Sequence, residues 1–477
     1  MLKRRMSIIA MAILLCTVTA CSQGQNNNNS SASETSVSQK ISVNDNNEIS
    51  ANDNNEISTE ESSSGQSEAK ASDDTEVSDN VNNTQNETNS TQTETTKNNV
   101  KASDTDATSD SSSSVKTTVS AGELSADDIF SNRDLAQTAD TSSAKSITVT
   151  SGQTINITEE GVYVLSGTAT NCTVRVEAGN EAKVQLVLDG VDITNDSAPA
   201  IYVVSADKCF ITSTGSNSLS VTGTFTSDGD TNTDAVIFSK DDIVLNGTGS
   251  LTINSSQGNG ISGKDDVKIT GGTYNITSAK DSIEANDSIS IYDGDFTIIS
   301  SKDALHSEND EDNTVGWIYI CGGSFNIKTA SDGIQATTLV QIDAGTFTIT
   351  SSEGIEATYV QINGGTISIS ASDDGINASR KSSYSTPTVE INGGELTIVM
   401  GQGDTDALDA NGNIIVNGGT IDITAQVSSF DYDGTAQYNG GTIIINGSQV
   451  DSIPQSMMGG GRMNGGMNGG MGRGGMM

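Results

Sequence analysis

From about residue 145 to residue 450, short runs of alternating apolar and polar residues recur at a spacing of about 22 residues. One unit reads Gly333-Ile334-Gln335-Ala336, Val340-Gln341-Ile342, a turn at Asp343-Ala344-Gly345, and Thr346-Phe347-Thr348-Ile349-Thr350. The next repeats it as Gly354-Ile355-Glu356-Ala357, Val360-Gln361-Ile362, Asn363-Gly364-Gly365 and Thr366-Ile367-Ser368-Ile369. Alternation sends every second side chain inward. Three apolar columns result: Ile261, Ile283, Leu305, Ile334, Ile355, Ile376 and Leu408; Ile269, Ile291, Ile320, Ile342, Ile362, Ile391 and Val416; and Ile276, Ile298, Ile327, Ile349, Ile369, Ile398 and Ile423. Three columns around one core predict an all-β fold, a right-handed single-stranded parallel β-helix with three sheets, of roughly 13 or 14 coils and about 65 Å.

A glycine precedes each third strand, at Gly249, Gly272, Gly294, Gly323, Gly345, Gly365, Gly394, Gly419 and Gly441. It predicts a turn residue with positive φ, where a Cβ is penalised. Two insertions, 309–316 and 380–387, lengthen the period, and loops on a solenoid gather on one working face.

Outside the repeats the pattern disappears. Residues 1–21 have a basic start (Lys3, Arg4, Arg5), an apolar run to Ala20, and then Val18-Thr19-Ala20-Cys21. They read as a lipoprotein signal peptide with a lipobox, Cys21 being the lipidated residue. Residues 22–122 are almost wholly Ser, Thr, Asn, Gln and acids, a composition that predicts a disordered tether with a span of roughly 55 Å. Residues 123–144 are the expected N-terminal cap of the solenoid 145–450, and the Gly/Met-rich residues 451–477 a flexible tail. Of five cysteines, Cys172, Cys209 and Cys321 fall in the repeats; free buried thiols are expected, with a Cys172–Cys209 bridge open.

The chain carries 62 acidic and 23 basic residues, a net charge of -39. Such a polyanion disfavours nucleic acid and attracts divalent cations. The acids are ordered. Asp281, Asp303, Asp332, Glu353, Asp374 and Asp406 open successive first strands, and Glu284, His306, Gln335, Glu356, Asn377 and Asp409 face outward three residues later. A second acidic corner holds Asp241, Asp265 and Asp287, continuing toward Asp310. Carboxylates on neighbouring coils, about 4.8 Å apart, repel by roughly 0.9 kcal/mol in water and about 3.5 kcal/mol at an effective dielectric of 20. Opposed oxygens around calcium lie about 4.6–5.2 Å apart, so calcium fits between rungs better than magnesium. The acidic residues named here other than Asp310 are the candidate calcium ligands. Turn capping by Asp is the plainer alternative. His306 is the single histidine, which argues against zinc or a triad and leaves it as a solvated side chain. Outward aromatics Trp317, Tyr319 and Tyr384 are the candidate glycan-stacking residues. Thr346, Thr348, Thr366 and Ser368 lie on a flat hydroxyl-rich face.

Several stretches together resemble a family of extracellular carbohydrate-binding domains with a pectate-lyase-like, calcium-binding parallel β-helix. They are Gly161-Val162-Tyr163-Val164-Leu165-Ser166-Gly167, Val184-Gln185-Leu186-Val187-Leu188-Asp189-Gly190-Val191, Ser239-Lys240-Asp241-Asp242-Ile243, Asn246-Gly247-Thr248-Gly249, Gly260-Ile261-Ser262-Gly263-Lys264-Asp265-Asp266, Asp332-Gly333-Ile334-Gln335-Ala336 and Asp406-Ala407-Leu408-Asp409-Ala410-Asn411-Gly412. The resemblance implies binding of cellulose- or pectin-type polysaccharide with calcium at the acidic corners. Lys280-Asp281-Ser282 and Lys302-Asp303-Ala304 depart from its Asp-Gly pattern. The expectation is a non-catalytic, monomeric, calcium-loaded lipoprotein at the cell surface. A polysaccharide lyase using Lys280, Lys302 or Arg380 as base is the alternative, and an adhesin or ice-binding solenoid a third reading.

Overall fold

In a computed structural model of the chain, the described residues are 124–309, 312–383, 385–403 and 405–454. Cys21, the signal, the tether, most of the tail, Asp310 and Tyr384 lie outside them. The described residues form 36 strands and one short helix, Ala126–Ile129. Almost every strand pairs in parallel with the equivalent strand of the next repeat, the arrangement of a parallel β-helix. The three apolar columns align as read: Ile283 pairs with Leu305, Ile291 with Ile320, and Ile298 with Ile327, each in register. All of these side chains are fully or almost fully buried. Such registers are strongly specified, because a one-residue slip would turn each column out to solvent.

Hydrogen bonding divides the strands into a 12-stranded and a 24-stranded sheet rather than three separate ones. The second and third ladders merge because Gly161–Thr170 and Lys183–Asn195 are long enough to run through the corner between them. The third-ladder strands alternate cleanly between exposed and buried positions, as in Ser324–Thr329 and Thr346–Ser351. Inside them Tyr274, Phe296, Phe325 and Phe347 stack, the last two pairs with centroids 4.6 and 4.5 Å apart, so the rings follow the rung spacing. At the adjoining corner an amide ladder runs from Asn439 to Asn417, Asn392 and Asn363, each amide donating to the next at 2.7–2.8 Å.

The turn glycines adopt positive φ except Gly249, where Gly247 takes that role instead. At Gly394, with φ +88°, a Cβ would also stand 2.9 Å from the Gly365 carbonyl oxygen of the preceding coil. Cys172, Cys209 and Cys321 are free thiols, the first two buried.

Within the stretch 123–144, residues 124–137 run along the outer side of the second ladder as a strap. Gln341 donates to the Leu124 carbonyl at 3.0 Å, and Lys268 to that of Ile129 at 2.8 Å. The Phe130 ring meets Tyr292 edge-on, Arg133 lies over Phe210, and Gln137 donates to the Thr270 carbonyl. Leu124 and Phe130 cluster with Trp317, Tyr319 and Leu339. The strap forms because those outward residues are apolar, and burying them removes a hydrophobic stripe from water.

Candidate functional site

The acidic column at the entrance to the first ladder stands as the repeat implies, one residue per coil. Backbone hydrogen bonds aim the acids. The amide of Asp303 donates to Asp281 Oδ1 at 2.9 Å, that of Asp332 to Asp303 Oδ1 at 3.0 Å, and that of Asp406 to Asp374 Oδ1 at 3.1 Å. One oxygen of each of these residues is thus engaged in turn capping, as an aspartate at a tight turn commonly is. The side chains that face outward from the first-ladder strands stack beside them, Glu284 against His306, Gln335 against Glu356, and Asn377 against Asp409.

Two groups converge. In the first, oxygens of Asp281 and Asp303 and a nitrogen of His306 lie within 4.8 Å of one another. Lys302 Nζ is 3.1 Å from Asp281 Oδ2, and His306 Nδ1 is 3.6 and 3.7 Å from Asp281 and Asp303. Burial opposes charge here, but the proximity of His306, the Asp303 amide and the charge of Lys302 hold the Asp281 carboxyl below the ordinary carboxylate range. The neighbouring aspartates raise the affinity of Lys302 and His306 for their protons. This cluster balances its own charge.

The second group, Asp332, Glu353 and Glu356, is made of oxygen donors alone, again within 4.8 Å. Its cation is Lys381, whose Nζ is 2.7 Å from Glu356 Oε2. Gln335 and Ser379 also donate to Glu356, at 2.8 and 2.7 Å, and Asn377 donates to Glu353 at 3.0 Å. These partners draw Glu356 below its usual range. Among the described residues no lysine, arginine or histidine forms an ion pair with the other two acids. Burial, then repulsion from Asp303, Glu353 and Glu356, pushes Asp332 up to about 8. Burial and Glu356 push Glu353 up to about 7. The imbalance continues along the column, since burial first and Asp409 and other acids next push Asp374 up to about 7. Asn377 Oδ1 is buried beside these acids and has no hydrogen-bond partner.

The remaining predicted ligands are dispersed. Glu284 accepts from Asn259 at 2.6 Å and lies 3.8 Å from Lys264. Asp409, pushed up to about 6 by burial and then by Asp406 and Asp431, extends the column. At the second corner Asp241 accepts the Ala206 amide and Asp287 accepts from Asn309. Asp265 is pushed up to about 7 by burial and by Asp242, Asp266 and Asp287. Asp242 and Asp266 therefore belong to this corner as well.

Trp317 and Tyr319 are corrected as a glycan-stacking platform. They do point away from the core, but the strap leaves them only 6% and 1% exposed. The Tyr319 hydroxyl is engaged too, donating to Asp343 at 2.6 Å. The insertions do meet, as expected of loops on one face: Ser382 donates to the Asn313 carbonyl, and Asn313 to Ser383 Oγ, both at 2.7 Å. Lys381, which the repeat pattern does not single out, enters the acidic cluster from the second insertion. Each candidate lysine base is held by an acid, Lys302 by Asp281 and Lys280 by Asp234 at 3.2 Å.

A model of the carbohydrate-binding domain-containing protein family matches residues 151–407 and 352–452, more than half of the chain. The chain belongs to this family. A family relative in Acetivibrio thermocellus, a carbohydrate-binding domain-containing protein, is 40% identical over 229 residues, which are 47% of this chain and 78% of that one. A solved structure of a polysaccharide lyase-like protein from C. thermocellum, a gadolinium derivative, is 28% identical and covers 46% of this chain and 93% of its own, with a TM-score of 0.39.

Proposed function

We propose that this family member is a non-catalytic, calcium-dependent binding module for cellulose- or pectin-type polysaccharide, carried at the cell surface by a lipid on Cys21. Its scaffold in this reading is a right-handed, three-sided β-helix. The observation that carries the calcium assignment is the oxygen cluster of Asp332, Glu353 and Glu356, where one lysine answers three carboxyls, with the unpartnered Asn377 Oδ1 beside it. Calcium prefers six to eight oxygen donors, and carboxylates with an amide oxygen are the set it takes. Asp332, Glu353, Glu356 and Asn377 would hold it, and bound there it would supply positive charge toward an acidic sugar.

The residues of the chain then do the rest. Backbone hydrogen bonds keep the acids stacked, and Gln335, Ser379 and Lys381 hold Glu356 in place. The paired insertions border the face on which a polymer would lie. Catalysis by a lyase route needs a lysine that readily gives up its proton. The aspartates around Lys302 act in the opposite direction.

The test is a pull-down and calorimetric titration of the full chain with polygalacturonate and cellulose, in millimolar calcium and in chelator. Binding that needs calcium and leaves the polymer intact is the expected result. Binding unchanged in chelator sinks the calcium reading, and growth of unsaturated-product absorbance sinks the non-catalytic one.

A further inference from the structure

We infer that Asp281, Asp303 and His306 form a mixed nitrogen–oxygen site for a divalent transition metal of the zinc class, distinct from the oxygen-only cluster on the following coils. The two aspartates are each 3% exposed. Because Oδ1 of each accepts the amide of the next acid along the column, Oδ2 is the oxygen each turns toward His306. His306 is 7% exposed, and its Nδ1 has no hydrogen-bond partner. That nitrogen stands 3.6 Å from one Oδ2 and 3.7 Å from the other, beyond hydrogen-bond reach of both. Donors on a tetrahedral ion with bonds of about 2.0–2.2 Å lie roughly 3.3–3.6 Å apart, so the two nitrogen–oxygen separations are already close to those of a shared ion.

The far side of the ring supports the same assignment. Nε2 lies 3.4 Å from Glu308 Oε2. A carboxylate there keeps a proton on Nε2, so Nδ1, which faces the aspartates, is the nitrogen that would exchange its proton for a metal, as in carboxylate–histidine–metal relays. An imidazole in the donor set selects against calcium and for zinc-class ions. Lys302 occupies Asp281 in the absence of metal, but its side chain is 53% exposed and can swing into solvent, where such a pair holds weakly. The inference does not depend on glycan binding or on calcium at the other cluster.

The experiment is zinc titration of the full, tag-free chain at pH 7.5 in excess calcium, followed by calorimetry and by NMR of the imidazole. His306 is the single histidine, so its nitrogen resonances report this site alone. One zinc per chain that shifts the Nδ1 resonance, with affinity at least tenfold weaker in H306Q and several-fold tighter in K302M, is the expected result. Glu353→Gln should leave zinc binding unchanged, which separates this site from the calcium cluster. Should H306Q fail to fold, a zinc-edge anomalous peak between Asp281 and Asp303 in crystals of the natural chain gives the same answer. No zinc uptake below about 100 μM, uptake that leaves the imidazole resonances unmoved, or equal uptake in folded H306Q would overturn it; the last two are the signatures of scattered surface acids.

Discussion

Asp281 and Asp303 on one side, and Asp332 and Glu353 on the other, occupy the same corner of the same ladder on successive coils. Their surroundings differ. The first pair has a histidine and a lysine within about one contact distance, and the Asp281 carboxyl is held low; the second pair faces more acids, and both carboxyls are pushed up. A repeat thus delivers a row of carboxylates, while the side chains that interrupt the repeat decide which of them lack a counter-charge. A cation adds most where the protein has supplied least.

The largest effect that would test this contrast is metal-linked stability. Calcium at one hundred times its dissociation constant should stabilise the fold by about 2.7 kcal/mol. Asp332→Asn with Glu353→Gln should abolish that gain, whereas Asp281→Asn should retain it; equal losses would erase the distinction between the clusters. Protons can substitute for the missing cation. Asp332 and Glu353 have folded-state pKa values raised above their unfolded ones, so their favourable contribution is fully present below about pH 4. It is lost as pH rises through about 7 to 8. In chelator the thermal midpoint should therefore fall between pH 5 and pH 8, and calcium should flatten that slope. A midpoint that climbs over this range in chelator contradicts the assignment.

Next in size are the internal cations. Lys381→Met removes a 2.7 Å charged hydrogen bond to a buried glutamate and should cost about 1.5–3 kcal/mol in denaturant titrations, less once calcium is bound. Lys302→Met removes a half-exposed partner while His306 stays, and should cost only about 0–1 kcal/mol. The reverse ranking would mean that the first cluster is the less balanced one. Smallest of all, Thr346→Lys and Thr366→Lys on the bare third-ladder face should change stability by less than about 0.5 kcal/mol and leave glycan binding intact. A loss of binding in these variants would move the site to that face and favour the adhesin or ice-binding reading.

Legibility followed the range of the interactions. The three core columns were readable residue by residue, because the period-two alternation of each strand and the spacing between repeats are local, and burial of isoleucine tolerates no other register. The stacked acids were readable for the same reason. Trp317 and Tyr319 were not. Alternation correctly sends them outward, but outward is not the same as exposed, and the strap that covers them comes from about 190 residues earlier in the chain. Lys381 could be noticed only as a basic residue in an insertion, and nothing local says that its amine reaches Glu356.

The sequence by itself therefore determined the parallel solenoid, its inward faces, its glycine turns and the line of acids along one corner, since each depends on neighbours in a repeat. Only the tertiary structure decided which faces see solvent and which acids are neutralised. Those outcomes rest on the strap from 124–137 and on the side chains of irregular loops, whose contacts join residues far apart in the chain and leave no period to read.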